Sequence, residues 1–197
     1  MHQLPYLGSF LEHRTPMLTE KETKKISKLL SFVLRHQPEA IGITLDENGW
    51  TAVDMLIEKV NSTGIAITPA ILKHVVDTNA KKRFAFNDNF TKIRASQGHS
   101  VIIDLGKEAQ QPPDVLYHGT AIQNLPSIQL KGLEKQSRNH VHLSNDTATA
   151  QAVGSRHGKP VVLTVNSGQM YNDGFTFTLS DNGVWLTDNV PAKYINN

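Results

Sequence analysis

The sequence predicts an α+β protein made of two lobes, a helical N-terminal lobe that ends in a β-hairpin and a β-rich C-terminal lobe. Three amphipathic helical patterns lie in the first 80 residues, and five β-prone runs lie in the last 84. Between them, "GKEAQQPPD" contains a proline pair and has no apolar periodicity. We therefore predict a lobe over residues 1–105, a linker over 106–114 and a second lobe over 115–197.

The first helix is predicted to begin at Thr19 or Thr23 and to run to about Gln37. Two more helices are predicted over residues 51–62 and 68–80. The last of these has a threonine at its N-cap and a proline at its first helical position. The apolar stripe of the first helix consists of Ile26, Leu29, Leu30, Val33 and Leu34.

A hairpin is expected after the third helix, because two short β-prone runs flank Asn87-Asp88-Asn89. Three helices followed by a hairpin is the element order of a winged helix. That fold commonly binds nucleic acid, although a fold alone does not establish a function.

The second lobe is predicted to be mainly β. Its strand candidates are "DVLYHGT", "NHVHLS", "PVVLTVNS", "FTFTLS" and "GVWLT". Two helices, "AIQNLPSIQLKG" and "TATAQAVGSRHG", are predicted between these strands.

Composition excludes several classes of protein. The 197 residues are 39% hydrophobic, with a mean hydropathy of −0.33, and no apolar run approaches the length of a membrane span. The chain has no cysteine, which excludes disulfides, thiolate zinc sites and a cysteine nucleophile. The first 16 residues show no secretory signal, so we expect a cytoplasmic protein without a membrane partner or an evident protein partner.

The net charge of +2 is distributed unevenly. Residues 1–100 hold 13 Lys and Arg against 10 Asp and Glu, whereas residues 101–197 hold 7 against 8. This mild bias permits a polyanionic partner at the N-terminal lobe and does not prove one.

Arg35 and His36 end the first predicted helix in "SKLLSFVLRHQPE". Pro38 disfavours helical geometry at Gln37, so the pair is expected on the last turn. One interpretation is a cationic cap that complements the helix dipole. The other is half of a phosphate-binding site.

Two further stretches place cations and imidazoles on one side of a strand. In "KKRF", alternation separates Arg83 from Phe84. In "SRNHVHLSND", Arg138, His140, His142 and Ser144 share a face, and such groups are costly to bury unpaired. We favour a cleft over a solvent-exposed face, and we expect no metal because no carboxylate is placed to complete a His-x-His site.

"YHGT" places His118 and Thr120 on one face of a strand, and Gly119 would allow a ligand close to the backbone. The chain contains no G-x-G-x-x-G, no Walker A and no H-E-x-x-H sequence. Conventional Rossmann or P-loop nucleotide binding is therefore not expected.

In this order, the motifs "SKLLSFVLRHQPE", "LDENGW", "KKRF", "IRASQGHS", "LYHGT", "HVHLS" and "GVWLTDNVP" resemble the NAD+-dependent RNA 2′-phosphotransferase family. The resemblance runs from about Lys24 to Ile195 and leaves the first 20 or so residues without a role. It implies a winged-helix lobe joined to a lobe of the ADP-ribosyltransferase fold.

The resemblance also implies the site residues. The catalytic set is Arg35, His36, Arg83 and Arg138. The NAD+-binding positions are His118, Gly119, Thr120, His142, Ser144 and Val184, where many other ADP-ribosyltransferases carry a glutamate at the position of Val184. In "IRASQGHS", Arg94, Gln97 and His99 are expected to help bind RNA or its phosphate.

The implied reaction has two steps. An internal RNA 2′-phosphate attacks the anomeric carbon of the nicotinamide ribose and expels nicotinamide. The ribose 2″-hydroxyl then attacks phosphorus, which leaves RNA with a 2′-hydroxyl and releases ADP-ribose 1″,2″-cyclic phosphate. A spliced tRNA is the family's best-known substrate.

Residue chemistry agrees with this implication. A phosphate monoester is largely a dianion at neutral pH, with a second pKa near ~6, so it needs no glutamate base but does need charge neutralisation. Arginine forks neutralise it bidentately, and a histidine can move a proton near neutral pH. Two alternatives stay open: an enzyme that ADP-ribosylates terminal phosphates of nucleic acids, and a non-enzymatic winged-helix regulator.

Overall fold

The computed structural model describes residues 18–156 and 158–196. The prediction about a secretory signal concerns residues outside these ranges, and so does most of the N-terminal extension. Within the described part of the chain, no helix is both long enough and apolar enough to cross a bilayer.

Three helices form the N-terminal lobe: α1 (Glu20–Val33), α2 (Val53–Ser62) and α3 (Pro69–Asp77). Thr19 caps α1, and its side chain accepts a hydrogen bond from the amide of Glu22 (3.2 Å). The helix ends at Val33 and not near Gln37, because Gln37 leaves helical geometry (φ −141°, ψ 71°) before the proline.

A three-stranded antiparallel sheet completes this lobe, in the order β1 (Thr51–Ala52), β3 (Lys92–Ala95) and β2 (Phe84–Phe86). The predicted hairpin is confirmed as β2 and β3. The prediction of a helix beginning at Thr51 is wrong, because Thr51 and Ala52 pair with Ile93 and Lys92 and so continue the hairpin's sheet. The core includes Leu30, Val33, Leu56, Leu72 and Ile93, each with no exposed surface.

The C-terminal lobe contains two three-stranded antiparallel sheets and one strand pair. The first sheet consists of β11 (Ile195–Asn196), β7 (Pro160–Val165) and β4 (Leu116–Ala121). The second consists of β6 (Val141–Leu143), β9 (Trp185–Thr187) and β8 (Thr178–Leu179), and β5 (Leu133–Glu134) pairs with β10 (Asn189–Val190). The helices are α4 (Leu125–Lys131), α5 (Thr147–Gly154) and α6 (Ser167–Asn172).

The two sheets of this lobe meet where β4 and β6 run side by side. Tyr117 and Ser144 exchange two backbone hydrogen bonds, of 2.9 and 2.8 Å. A second core, separate from the first, lies beneath them and includes Leu116, Leu143 and Phe177. The meeting of β4 and β6 brings "YHGT" next to "HVHLS".

An irregular segment over residues 96–115, between β3 and β4, joins the two lobes and contacts both of them. The amide of Asp104 donates to Glu47 in the N-terminal lobe (2.8 Å), and the amide of Gln110 donates to Phe177 in the C-terminal lobe (2.8 Å). Gln110 lies within the predicted linker of residues 106–114, whereas Asp104 lies before it. The domain boundaries, and the winged-helix and ADP-ribosyltransferase identities of the lobes, stay predictions.

Candidate active site

Arg35 and His36 lie in the turn that directly follows α1, and not on the last helical turn as predicted. The amide of His36 still donates to Phe32 (2.9 Å), so the turn continues the helix direction. The carbonyl of Arg35 accepts hydrogen bonds from the amides of Ser100 (2.9 Å) and Val101 (3.3 Å). The segment between the lobes therefore holds the backbone of Arg35 in place.

The charges of three arginines come together between the lobes. Arg35 donates through Nη2 to the carbonyl of Arg83 (3.5 Å). Burial, and then the neighbouring charges of Arg83 and Arg138, lower the pKa of Arg35 to about 10. The contact between Arg35 and Arg83 joins residues that are 48 positions apart in the chain, and the charge of Arg138 acts on Arg35 from the other lobe.

This cluster has no counter-charge in the described part of the chain. None of the salt bridges there involves Arg35, Arg83 or Arg138. The Nε atom of Arg35 is also buried without a hydrogen-bond partner. Since gathering like charges is unfavourable, the arrangement is suited to an anion that binds among them.

His36 stands beside this cluster and contacts Ser100. Its Nδ1 atom lies 2.9 Å from Ser100 Oγ. Partial burial, and then the charges of Arg35 and Arg138, lower the pKa of His36 below its ordinary value. The imidazole is therefore neutral at neutral pH and can accept a proton.

His118 and His142 form the C-terminal side of the site. Nδ1 of His118 lies 3.0 Å from the carbonyl of His142, so this nitrogen carries the proton and Nε2 is left as an acceptor. Burial lowers the pKa of His118, against the opposing effect of that hydrogen bond, and Arg138 lowers it further. For His142, burial and then the charge of Arg138 lower the pKa to about 3.

A cavity of about 10 Å³, the size of a single water, lies behind these histidines. His99, Asn139, His140 and His142 are among its lining residues. The Nε2 atoms of His99 and His142 are buried without a hydrogen-bond partner. A larger concavity of about 380 Å³, lined by Phe175, Leu186 and others, shares His140 with the small cavity and contains none of the residues predicted for catalysis or for NAD+ or RNA binding.

Gly119 has a packing role that the sequence does not reveal. A Cβ atom built on Gly119 would lie 1.6 Å from the carbonyl oxygen of Ala150 in α5, and one on Gly154 would lie 2.7 Å from the carbonyl oxygen of Thr120. The close contact of α5 with β4 therefore requires glycine on both sides. Thr120 itself is 6% exposed and accepts a hydrogen bond from Asn124 (3.1 Å).

Ser144 and Val184 adjoin the ends of paired strands. Leu143 pairs with Trp185, so Ser144 directly follows β6 and Val184 directly precedes β9. Val184 is partly buried, and its amide donates to Ser180 Oγ (3.0 Å). These positions lie at the same end of the second sheet, and their predicted contact with NAD+ stays a prediction.

The residues of "IRASQGHS" lie differently from what an RNA-binding role suggests. Arg94 is 7% exposed, donates to Asp181 (2.8 Å) and stacks on the ring of Trp50 (4.4 Å). His99 is 2% exposed, and Gln97 is partly buried. The geometry favours a role for Arg94 in joining the lobes over the predicted contact with RNA.

The structure adds residues that the sequence patterns did not indicate. Burial and then the charge of Arg156 lower the pKa of Arg83, and the same two causes lower the pKa of Lys81. Arg156 lies two residues after α5, so a charge of the C-terminal lobe acts on these two cations of the N-terminal lobe. Ser100 also belongs to the site, and it is the last residue of the motif "IRASQGHS".

No group of three or more His, Cys, Asp or Glu side chains is arranged to hold a metal ion within residues 18–156 and 158–196. The arginine cluster and the histidine pair are the chemical groups available at the junction of the lobes.

The sequence is similar to one family of known proteins. Residues 21–189 match the family described as RNA 2′-phosphotransferase, Tpt1 / KptA family. A protein of Flavobacterium johnsoniae named "Probable RNA 2'-phosphotransferase" is 56% identical over 90% of this chain and 98% of its own. Proteins of the same name are 53% identical in Trichormus variabilis (87% of this chain, 94% of theirs) and 52% in Rhodopirellula baltica (91% and 98%). The chain therefore belongs to the Tpt1/KptA family of RNA 2′-phosphotransferases.

Proposed function

We propose that this protein removes an internal 2′-phosphate from RNA by transferring it to NAD+. Membership of an RNA 2′-phosphotransferase family supports the removal of the phosphate. The use of NAD+ and the order of the chemical steps belong to the proposal. One observation carries it: Arg35 contacts Arg83 and, like the neutral His36, lies close enough to Arg138 to respond to its charge, and none of the three arginines has an ion pair in the described part of the chain.

The arginine cluster suits a phosphate monoester for a physical reason. The dianion needs two or more positive charges held in a fixed arrangement, and guanidinium groups supply paired donors that keep their charge. Arg35 is immobilised by its burial and by its contact with Arg83. Arg138, from the other lobe, completes the set, so that phosphate binding also ties the lobes together.

The histidine pair suits the ribose of NAD+. Nε2 of His118 is an acceptor, and Nε2 of His142 has no partner in the described chain, so both can bond to hydroxyl or amide groups of a ligand. When bound, NAD+ would supply the ribose carbon that accepts the phosphate, with release of nicotinamide and formation of ADP-ribose 1″,2″-cyclic phosphate. Ser144 and Val184 would lie along the same ligand, while Gly119 and Thr120 would support it through their packing.

His36 is the group in this cluster that can carry a proton. In the free enzyme its pKa is low, because it is partly buried and faces Arg35 and Arg138. A bound phosphate dianion neutralises those arginines and so raises the pKa of the imidazole towards neutrality. His36 would then accept the proton of the attacking hydroxyl and return it to the 2′-oxygen of RNA.

An apolar side chain at position 184 agrees with this chemistry. A carboxylate there would repel the incoming dianion and lose solvation in a partly buried site. Val184 avoids both costs. The phosphate itself is the nucleophile, so no further base is required for the first step.

Arg156 and Lys81 form a cationic rim beside Arg83 of the cluster, with no ion pair to any described carboxylate. This rim would hold phosphodiesters that flank the 2′-phosphate. Such contacts position the substrate and carry little sequence information.

The test uses an oligoribonucleotide with one internal 2′-phosphate, incubated with and without NAD+. The proposal expects loss of the phosphate only with NAD+, in equal amount to the cyclic ADP-ribose phosphate formed. Release of inorganic phosphate, or loss without NAD+, would overturn the use of NAD+. A stable ADP-ribosyl adduct on a terminal phosphate would instead favour the capping enzyme.

A further inference from the structure

The turn from Ser180 to Val184 connects the C-terminal lobe to the part of the N-terminal lobe that carries Arg83. The amide of Ser180 donates to the carbonyl of Val184 (2.9 Å), and the amide of Gly183 donates to the carbonyl of Ser180 (2.9 Å). Ser180 Oγ also lies 2.8 Å from Asn182 Oδ1. These bonds make the turn a rigid unit that presents two side chains to the other lobe.

Asp181 is the first of these side chains. Its carboxylate accepts hydrogen bonds from Arg94 (2.8 Å) and from Lys107. Arg94 also donates to the carbonyl of Leu105 (3.1 Å) and stacks on Trp50. Asp181 therefore holds β3 of the N-terminal lobe through a buried guanidinium whose Nη1 and Nη2 atoms both donate hydrogen bonds.

Asn182 is the second. Its Nδ2 atom donates to the carbonyl of Lys81 (3.0 Å), two residues before Arg83. The amide orientation follows from the network, because the carbonyl of Lys81 can only accept a hydrogen bond and must therefore face Nδ2. A side chain of the C-terminal lobe thus donates a hydrogen bond to the backbone next to Arg83 in the N-terminal lobe.

The backbone at Arg83 is held from its own lobe as well. Its carbonyl accepts from the amide of Ser96 (2.8 Å), and its amide donates to Asn79 Oδ1 (3.3 Å). Ser96 directly follows β3, the strand that Asp181 anchors through Arg94. Both side chains of the turn therefore converge on the position of Arg83.

The other end of the turn leads into the site. Val184 is followed by β9, whose Leu186 pairs with His142. A single short turn thus sets the distance between Arg83 on one lobe and the histidine pair on the other.

We propose that Asp181 and Asn182 are positioning residues that place Arg83 against Arg138 and the C-terminal site, so that the 2′-phosphate is held only when the turn is docked. This inference rests on the proposed function. It concerns the binding of the phosphate group, which can be measured without NAD+ and without turnover.

The experiment measures the affinity of the full-length protein for two oligoribonucleotides that differ only in one internal 2′-phosphate, in the absence of NAD+. Asn182→Ala and Asp181→Asn are expected to weaken binding of the phosphorylated strand by about tenfold or more and to weaken binding of the plain strand by a clearly smaller factor. Asn172→Ala and Asp188→Asn, on exposed residues, are the matched controls and are expected to bind as the wild type does.

A double-mutant cycle with Arg83→Ala separates positioning from general stability. If Asn182 acts through Arg83, adding Asn182→Ala to Arg83→Ala should cost nothing more. Additive losses, or an equal loss for both strands, would overturn the inference. If the wild type does not react with NAD+, the proposed function is wrong instead. The double-mutant cycle can still be interpreted, because it measures binding without NAD+.

Asp181→Glu is included because Asp181→Asn could lose phosphate binding simply by failing to fold. Restored phosphate binding in Asp181→Glu, with Asp181→Asn retaining cooperative thermal unfolding, would agree with positioning by the carboxylate. If Asp181→Asn lowers only the unfolding temperature and binds the phosphorylated strand normally, the carboxylate is structural and the inference is wrong.

Discussion

His36 Nδ1 lies 2.9 Å from Ser100 Oγ, and the amide of Ser100 donates to the carbonyl of Arg35 (2.9 Å). One residue of the segment between the lobes thus holds the backbone of the arginine and the ring of the histidine. When Nδ1 donates to the hydroxyl oxygen, Nε2 of the ring is free to accept a proton. This is the orienting arrangement that an activated base requires.

Ser100→Ala should therefore slow proton transfer and leave phosphate binding intact. Loss of one hydrogen bond predicts a decrease in kcat of about 2- to 10-fold, with little change in KM for the RNA. Ser62→Ala, at the exposed end of α2, is the control. Steady-state kinetics with the 2′-phosphorylated oligonucleotide would check this, and a purely KM effect would contradict an orienting role.

Long elements of the fold could be predicted from the sequence, whereas short ones could not. The apolar stripe of α1 and the capping signal at Thr68 depend only on residues that are close together in the sequence. The hairpin at residues 84–95 follows from its turn residues. Strands such as β5 and β10 have two residues each, which is too short for alternation to show. They exist because tertiary pairing brings them together.

The site could be predicted from its motifs only in outline. The motif order places Arg35 and His118 in different lobes, but burial decides which polar residues reach the ligand. Arg94 is charged and close in sequence to the hairpin, yet its partner Asp181 is 87 positions away. No local pattern reveals such a pair, and none reveals that Arg156 approaches Arg83.

Arg156→Ala should weaken RNA binding through a lost phosphate contact. The affinity is expected to fall for any sequence, and the slope of log affinity against log salt should become shallower by ~1. Lys131→Ala, at the exposed end of α4, is the control and should leave the slope unchanged. An unchanged slope for Arg156→Ala would remove this residue from the rim.

Stability should fall as the pH falls below neutrality. The pKa of His99 and the pKa of His142 are about 3 in the folded protein, against an ordinary value of 6.5, mainly because of burial. The unfolded chain therefore binds more protons between these pKa values, so their contribution to stability is complete above about pH 6.5 and is lost as the pH decreases.

Each histidine contributes a slope of up to about 1.4 kcal/mol per pH unit to the free energy of unfolding. Urea denaturation at several pH values between about 7.5 and about 5 would measure it. His99→Gln should make the dependence shallower. A flat profile in the wild type would contradict neutral, buried imidazoles.

Gly119→Ala should destabilise the fold by about 1 to 3 kcal/mol, because the new methyl group would clash with the carbonyl of Ala150 and push α5 from β4. Gly174→Ala is the control, since nothing lies within 4 Å of its added carbon and only the positive φ of 93° is unfavourable. Denaturant titration compares the two. Wild-type stability of Gly119→Ala would mean that the glycine serves ligand approach and not packing.

Arg138→Lys should separate the geometry of the guanidinium from its charge. Lysine keeps the positive charge but loses the paired donors, so binding of the 2′-phosphate should be retained in part while the step at phosphorus slows strongly. Arg138→Ala should lose both. Rapid-quench measurement of phosphate transfer and product release, with Arg35 and Arg83 variants in parallel, would resolve the two steps. Because the three arginines act on one phosphate, their effects should be far from additive, and a variant with normal rates in both steps would exclude that arginine from the cluster.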